Sequence, residues 1–287
     1  MKYYNVYFVN VYSDKALQGL NVAAVLMSDK ISKDEVKKIA KNLNQASLVF
    51  LTKLDSDIYE AYYYCYDEEV NFSSYATIGL FYILADKGYI QALENGKKEI
   101  KLHTKYGKVY VELNYINYEV DSVYIRFSVE QVEAKLNSEE LIRAFNIDKS
   151  GLEGLSHIKA YKDNISSPAI LIEFENKESL QKIVPNLEII KEISSRENVN
   201  VINLVTITGE NELEQRSFRI SNNIYEVYDL KASIYSFLFY LSKEGRINFD
   251  KEIRVNKDIV FSLSCLEDGT IRIGGKAHVY LSGVLSI

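Results

Sequence analysis

Histidine, cysteine and tyrosine are the residues of this chain whose types most readily do chemistry, and their spacing narrows what that chemistry can be. His103, His157 and His278 are isolated in the sequence, without the spacing by which paired imidazoles and thiolates hold zinc, so no metal site is expected. Cys65 and Cys265 lie 200 positions apart, and neither has a CxxC partner. A disulfide framework is excluded, and a reducing, cytoplasmic compartment is expected. Tyrosine is abundant at 23 residues while tryptophan is absent, and it clusters at Tyr3–Tyr12 and Tyr59–Tyr66 in alternating stretches. These rings are either sheet residues with one wet edge or stacking surfaces for a ligand, and the first reading needs no ligand. A formal net charge of −6 lacks the cationic surface that phosphate backbones require, so nucleic acid is not an expected partner. No run approaches the ~18 apolar residues of a membrane span. The opening MKYYNVYFVNVYSD lacks the apolar block and small-residue cleavage site of a signal peptide.

Strand-like alternation occurs at 3–12, 22–27, 47–53, 58–65, 98–104, 107–115 and 121–128. Ser32 followed by Glu35 forms a capping box, and Val36, Ile39, Ala40 and Leu43 follow at helical spacing. A second helix from about Tyr75 to Lys87 is apolar nearly all round and stops at Gly88. Such a helix must be buried on most sides.

The second half repeats this plan. ASIYSFLFYLSKEG ends at Gly245 as YATIGLFYILADKG ends at Gly88, an offset of 245 − 88 = 157. LVTIT (204–208) matches LVFLT (48–52) at an offset of 204 − 48 = 156. The agreement indicates an internal duplication. A helix that is apolar all round needs a strongly curved sheet about it. Two such helices offer two N-termini whose backbone N–H groups suit a carboxylate or a developing oxyanion, in one cleft if the halves face each other. The 287 residues accordingly read as two domains, 1–130 and 131–277, with the last strand, about 278–287, returning to the first. The boundary falls where VYIRFSV gives way to EQVEAKLNSEE. The tail IRIGGKAHVYLSGVLSI reads as a Gly-Gly hairpin with a final strand.

Several strings, in order, resemble the PhzF-like branch of the diaminopimelate-epimerase fold. LNVAAVLM (20–27) is similar to that family's GNPAAV segment, retaining Asn21, Ala23, Ala24 and Val25. NLNQASLVFL (42–51) resembles its NLSETAFV segment, and EVNFSSYATIGLFYIL (69–84) its EVDLCGHATLA segment. The closing IRIGGKAHVYLSGVL resembles its terminal GG-hairpin. The resemblance implies an α/β (α+β) fold of two pseudo-symmetric domains, each a curved sheet around a central apolar helix. It also implies a homodimer, no cofactor, and an isomerase in which a glutamate moves a proton between carbons of a small acid.

At the positions that matter, the carried-over pattern departs from the family's. The glutamate position falls on Gln45, a neutral amide without useful basicity near pH 7. The histidine position falls on Tyr75, and the glycine and acid of that segment fall on Ser74 and Asn71. The family's EDPVTGSA turn aligns with EVYDLKAS (226–233), which puts its acid on Val227 and its Gly-Ser pair on Lys231 and Ala232. Asp229 is two places from Val227, and a local shift would restore an acid there. The cysteine pair of the fold's thiol-dependent members is replaced by Ser73 and by Ala232 or Ser233, which argues against a two-thiol racemase.

Each of these residues has a plain structural reading beside the functional one. Gln45 is a ligand donor or a polar residue at a helix-to-strand junction. Tyr75 donates to a ligand carboxylate or fills the space of a smaller imidazole. Asn71, Ser73 and Ser74 cap a helix, or join Asn21, Lys231, Ala232 and Ser233 in binding a ligand. Lys231, unfavourable at a helix N-terminus, is solvated, pairs with an acid such as Glu226 or Asp229, or meets an anionic ligand. Asp229 is an N-cap or a substitute acid. Three functions fit: a family member that binds a small carboxylate-bearing ligand with its parental proton shuttle lost or altered; an active isomerase drawing a new acid–base pair from Tyr75, Asp229 and Glu226; or a structural homodimer with a closed cleft.

Overall fold

The structure, a computed structural model, describes residues 1–287 apart from 28–30, 56–57, 67, 129–131, 135–137, 148–159, 163–168, 175, 221–223, 228–231 and 268–269. Two compact units emerge, Met1–Ser128 with Asp258–Ile287, and Val129–Lys257. The first unit begins β1 (Tyr3–Val11), β2 (Leu20–Met27), α1 (Lys33–Leu43), β3 (Leu48–Asp55), β4 (Ile58–Cys65) and β5 (Glu68–Val70). It continues with α2 (Ser74–Asp86), β6 (Asn95–His103), β7 (Lys108–Ile116) and β8 (Glu119–Phe127). The second unit holds β9 (Val132–Ala134), α3 (Ser138–Phe145), β10 (Ala160–Lys162), β11 (Ala169–Glu173), α4 (Lys177–Gln181) and α5 (Leu187–Glu197). It ends with β12 (Val201–Gly209), β13 (Glu212–Ile220), β14 (Ile224–Val227), α6 (Ala232–Lys243) and β15 (Ile253–Val255). The chain then rejoins the first unit as β16 (Ile259–Cys265), β17 (Ile271–Gly275) and β18 (Ala277–Ser286).

In the first unit the strands are ordered β16-β17-β8-β7-β6-β4-β3-β2-β1-β18, with β5 on β4. Helix α2 packs against β1, β2 and β18 near one end of that order and against β7, β8 and β17 near the other, so the sheet curves around it. That arrangement suits the sequence of α2, in which only Tyr82 and Asp86 escape burial. Burying each of its Leu, Ile and Phe side chains is worth roughly 1.5–3 kcal/mol. Gly79 sits where the helix comes nearest to β1: a Cβ there would lie 2.8 Å from methyl groups of both Val9 and Val11. The helix ends at Gly88, whose φ of +73° is the left-handed value that favours glycine.

On the outer face of the same sheet lies α1, with Val36, Ile39 and Ala40 buried against residues of β1 to β4. Ser32 caps it by accepting from the Glu35 N–H at 3.2 Å. The reciprocal half of the expected capping box is not used, because both oxygens of Glu35 accept from Lys2 Nζ at 3.0 and 2.9 Å. Charge wins over the neutral backbone donor here.

The second unit orders β11-β12-β13-β15, with β14 on β13 and a separate β9-β10 pair. Helix α6 packs on β10 and β11, with Ile234, Tyr235, Phe237, Leu238 and Leu241 at most 1% exposed. Helices α3, α4 and α5 cover the other face through Phe145, Leu180, Ile190, Ile193, Ile202 and Phe218. The duplication reaches beyond the two apolar helices. Helices α1 and α5 have N-caps at Ser32 and Asn186 and left-handed C-caps at Asn44 and Asn198, offsets of 186 − 32 = 154 and 198 − 44 = 154. Each leads into a strand that runs parallel to the one before it, β3 beside β2 and β12 beside β11.

The Gly-Gly tail differs from expectation. Gly274 and Gly275 lie inside β17, which pairs with β16 and β8, whereas β18 pairs with β1. The tail is a crossover between distant strands rather than a hairpin. Gly274 is required by close approach, since a Cβ there would collide with the Val123 carbonyl and the Tyr124 ring.

Candidate functional site

The first unit brings positions 45 and 71–75 to one end of its sheet. Asn44, left-handed at φ 48°, turns the chain out of α1. Gln45 follows, half-buried, with its carbonyl accepting from the Tyr66 N–H at 2.7 Å just beyond the end of β4. β5 then pairs back along β4, Cys65 opposite Glu68 and Tyr63 opposite Val70, and α2 begins four residues later at Ser74. The Gln45 side chain turns locally: its Nε2 donates to the Leu43 carbonyl at 2.8 Å. This satisfies one of the acceptors that a helix leaves at its C-terminus.

Ser73 is the N-cap of α2 and accepts from the Ala76 N–H at 3.4 Å. Ser74 and Tyr75 are both buried, at 6% and 5% exposure, while Asn71 is exposed. Phe72 anchors the turn between them, with ring contacts to Tyr63, Tyr106 and Phe127 at centroid distances of 5.6, 5.9 and 5.8 Å. Beneath the cap, the Tyr63 hydroxyl and Thr77 Oγ1 are 2.7 Å apart, and Thr77 Oγ1 donates to the Ser73 carbonyl at 2.7 Å. Burial pushes the Tyr63 phenol well above the ordinary tyrosine value, so it stays neutral. Tyr63 and Thr77 went unnoticed in the sequence, where they belong to a tyrosine-rich strand and an apolar helix.

Asn21 is not brought to this end of the helix. Val22 faces α2 beside Gly79, so its neighbour Asn21 lies on the opposite, outer face of the sheet. There its Oδ1 accepts from the Tyr280 hydroxyl at 2.7 Å.

In the second unit, Val227 ends β14 opposite Ser217. Glu226 is held in a fork by Arg216, whose Nε and Nη2 donate to its two oxygens at 2.7 and 3.0 Å. Arg216 Nη1 also donates to the carbonyls of Leu180 and Ile183. This clamp holds the Glu226 carboxylate in an ion pair. Asp229 and Lys231 lie outside the described residues, as do the side chains of Ala232 and Ser233, which open α6. A polar row that sequence reading missed runs along β12 and β13: Asn203, Gln215, Ser217 and Arg219, each at most 8% exposed. Ser217 Oγ donates to Asn203 Oδ1 at 2.7 Å, and Gln215 Nε2 donates to Ser217 Oγ. In the sequence these residues are the polar partners in an alternating pattern, which ordinarily marks the solvent side. Here both faces of the strands are covered. Among the described residues, no helix is long and apolar enough to cross a membrane.

Comparisons with known proteins bear on the family and the fold. Residues 9–257 match the model of the PhzC-PhzF family, described as phenazine biosynthesis-like protein. An uncharacterized isomerase of Clostridium acetobutylicum is 23% identical over 216 residues, covering 72% of this chain and 68% of its own. A predicted epimerase from Pseudomonas aeruginosa superposes with a TM-score of 0.78 at 14% identity, covering 98% of this chain and 99% of the other. A hydroxyproline epimerase from Agrobacterium vitis, solved with bound trans-4-hydroxy-L-proline, superposes at 0.67 with 12% identity, covering 99% and 92%. With the family model matched over most of its length and the fold shared with PhzF and proline-epimerase-like structures, the chain belongs to the PhzC-PhzF, phenazine biosynthesis-like family.

Proposed function

We propose that this chain binds a small carboxylate-bearing acid at the N-terminal end of α2, without a cofactor, and that the proton shuttle of its family is lost or altered. The observation that carries the reading is Gln45. At the position matching the family's glutamate stands an amide whose donor is engaged by the Leu43 carbonyl. It has no useful basicity near neutral pH, and removing a general base alone costs about 10²–10⁴ in rate. The ligand class is supported by the helix start, where backbone N–H groups and the hydroxyls of Ser73 and Ser74 suit an anion. The acid bound by the hydroxyproline epimerase of the same fold is of that class. The Arg216 clamp on Glu226 counts against a replacement acid there and leaves Tyr75 and Asp229 as the pair an active isomerase would need.

Two measurements test the reading. A thermal-shift screen against amino, hydroxy and aromatic acids should find a stabilising ligand, worth roughly 2.7 kcal/mol at a hundred-fold excess over Kd. Incubation of the hits in deuterated water should leave their carbons unlabelled. Deuterium entering a carbon of any hit would establish a working isomerase. A screen without hits would remove the ligand.

A further inference from the structure

We infer that a cavity of about 210 Å³ beside α1 binds a small organic ammonium, a protonated primary amine with a short apolar chain. The cavity lies on the face of the first unit's sheet away from α2. Side chains alternate along β4, so Glu60, Tyr62 and Tyr64 share that face. Strand β3 sets Thr52 opposite Glu60, and β5 sets Glu69 opposite Tyr64. Met27, Ile31 and Val36, from the apolar cluster around α1, complete the wall. The space equals the share of roughly seven waters in the liquid, room for a ligand of fewer than about ten non-hydrogen atoms.

Unsatisfied groups in the wall point to a ligand. Thr52 and Tyr64 are only 7% and 4% exposed, yet their hydroxyls make no hydrogen bond among the described residues. Buried hydroxyls are ordinarily satisfied, and a donor entering the cavity supplies what these lack. Glu60 and Glu69 are half-buried around the same space. Among the described residues Glu60 has no ion pair, and Glu69 meets Lys105 loosely, at 3.8 Å. Charge taken out of water without a partner is costly, and a cation between the two carboxylates offsets that cost. The Tyr62 phenol is pushed up to about 12, first by burial and then by Glu60 and Glu69, as an electronegative cavity requires. The Tyr62 and Tyr64 rings add faces that attract an ammonium. An ammonium brings three donors, enough for both carboxylates and one hydroxyl, while its chain lies against Met27, Ile31 and Val36. No group of three or more His, Cys, Asp or Glu that could hold a metal ion occurs among the described residues, so the wall suits an organic cation. Lys33 stands exposed at the rim, without an ion pair among the described residues, and leaves the acids unneutralised. This inference stands apart from the ligand reading at α2.

Isothermal titration calorimetry of the full chain at neutral pH should show saturable binding of n-butylamine and benzylamine. The alcohol n-butanol, of similar shape but uncharged, should not bind. Glu60→Gln with Glu69→Gln, isosteric at half-buried positions, should weaken the amines by about ten- to a hundred-fold while the circular dichroism is unchanged. Tyr64→Phe should weaken them by about five-fold without lowering the melting temperature, because its hydroxyl has no partner within the described chain. Lys33→Met removes a like charge from the rim and should tighten them by about two- to five-fold. An absence of saturable amine binding overturns the inference. So does n-butanol binding as well as n-butylamine, or an affinity indifferent to the two glutamine substitutions.

Discussion

Gln45 Nε2 and the Leu43 carbonyl are joined by a 2.8 Å hydrogen bond that closes the C-terminal end of α1. A carboxylate at position 45 would set a negative oxygen against that carbonyl, at the negative end of the helix dipole. Gln45→Glu is therefore expected to lower stability by about 1 kcal/mol, read as a lower denaturant midpoint at pH 7. An unchanged midpoint would mean that the amide bond has no structural role and that the residue is kept for a ligand.

Gln45→Glu combined with Tyr75→His restores the two side chains of the resemblance. Solvent deuterium exchange into a bound acid should appear in the double variant if the surrounding pocket survives. Mass spectrometry of the acid after incubation reads it. No exchange, with ligand-induced stabilisation retained, would place the deficit outside these two positions.

The Tyr63–Thr77 pair lends itself to a double-mutant cycle. Thr77→Val leaves the buried Tyr63 hydroxyl without its partner and should cost about 1–3 kcal/mol. Adding Tyr63→Phe removes the stranded hydroxyl, so the double variant should lose less than the two single losses combined. Strict additivity in denaturant titrations would show that the contact is not energetically coupled.

At Gly79 two effects oppose each other. Alanine improves helix propensity by about 1 kcal/mol, but overpacking against Val9 and Val11 costs typically about 1–3 kcal/mol. With a Cβ 2.8 Å from both valines, Gly79→Ala should be net destabilising, and Val9→Ala should partly relieve it. A higher melting temperature for Gly79→Ala would contradict the packing.

Burial raises the phenols of Tyr7, Tyr62, Tyr82 and Tyr115 to about 12, helped at Tyr7 by Tyr89 and at Tyr62 by Glu60. A folded-state value above the unfolded one of about 10 favours the protonated native state. The contribution is whole below pH 10 and is lost as pH rises through 12. The tyrosinate absorbance of the native protein should thus lag that of the urea-unfolded chain above pH 10 and rise together with unfolding. Superimposable curves would show these hydroxyls to be solvated.

Sequence alone determined what depends on near neighbours. Ser32 and the spacing of Val36, Ile39 and Ala40 give α1, and the all-apolar run ending at Gly88 gives α2, because capping and amphipathic period act within a few residues. The ordered strings around Asn21, Gln45 and Tyr75 gave the family for the same reason. Tertiary structure decided which distant partners those elements would find. Glu35 left its capping box for Lys2, Asn21 went to the face opposite α2, and Glu226 was taken by Arg216. Gly274 and Gly275, a turn signal by composition, became part of a strand, Gly274 pressed against Val123 and Tyr124. Local propensity is settled by short-range sterics, whereas strand partners and ion pairs are chosen by burial and charge across the whole chain. Position 45 carries an amide in any fold. Only the folded chain could show that its donor is already engaged.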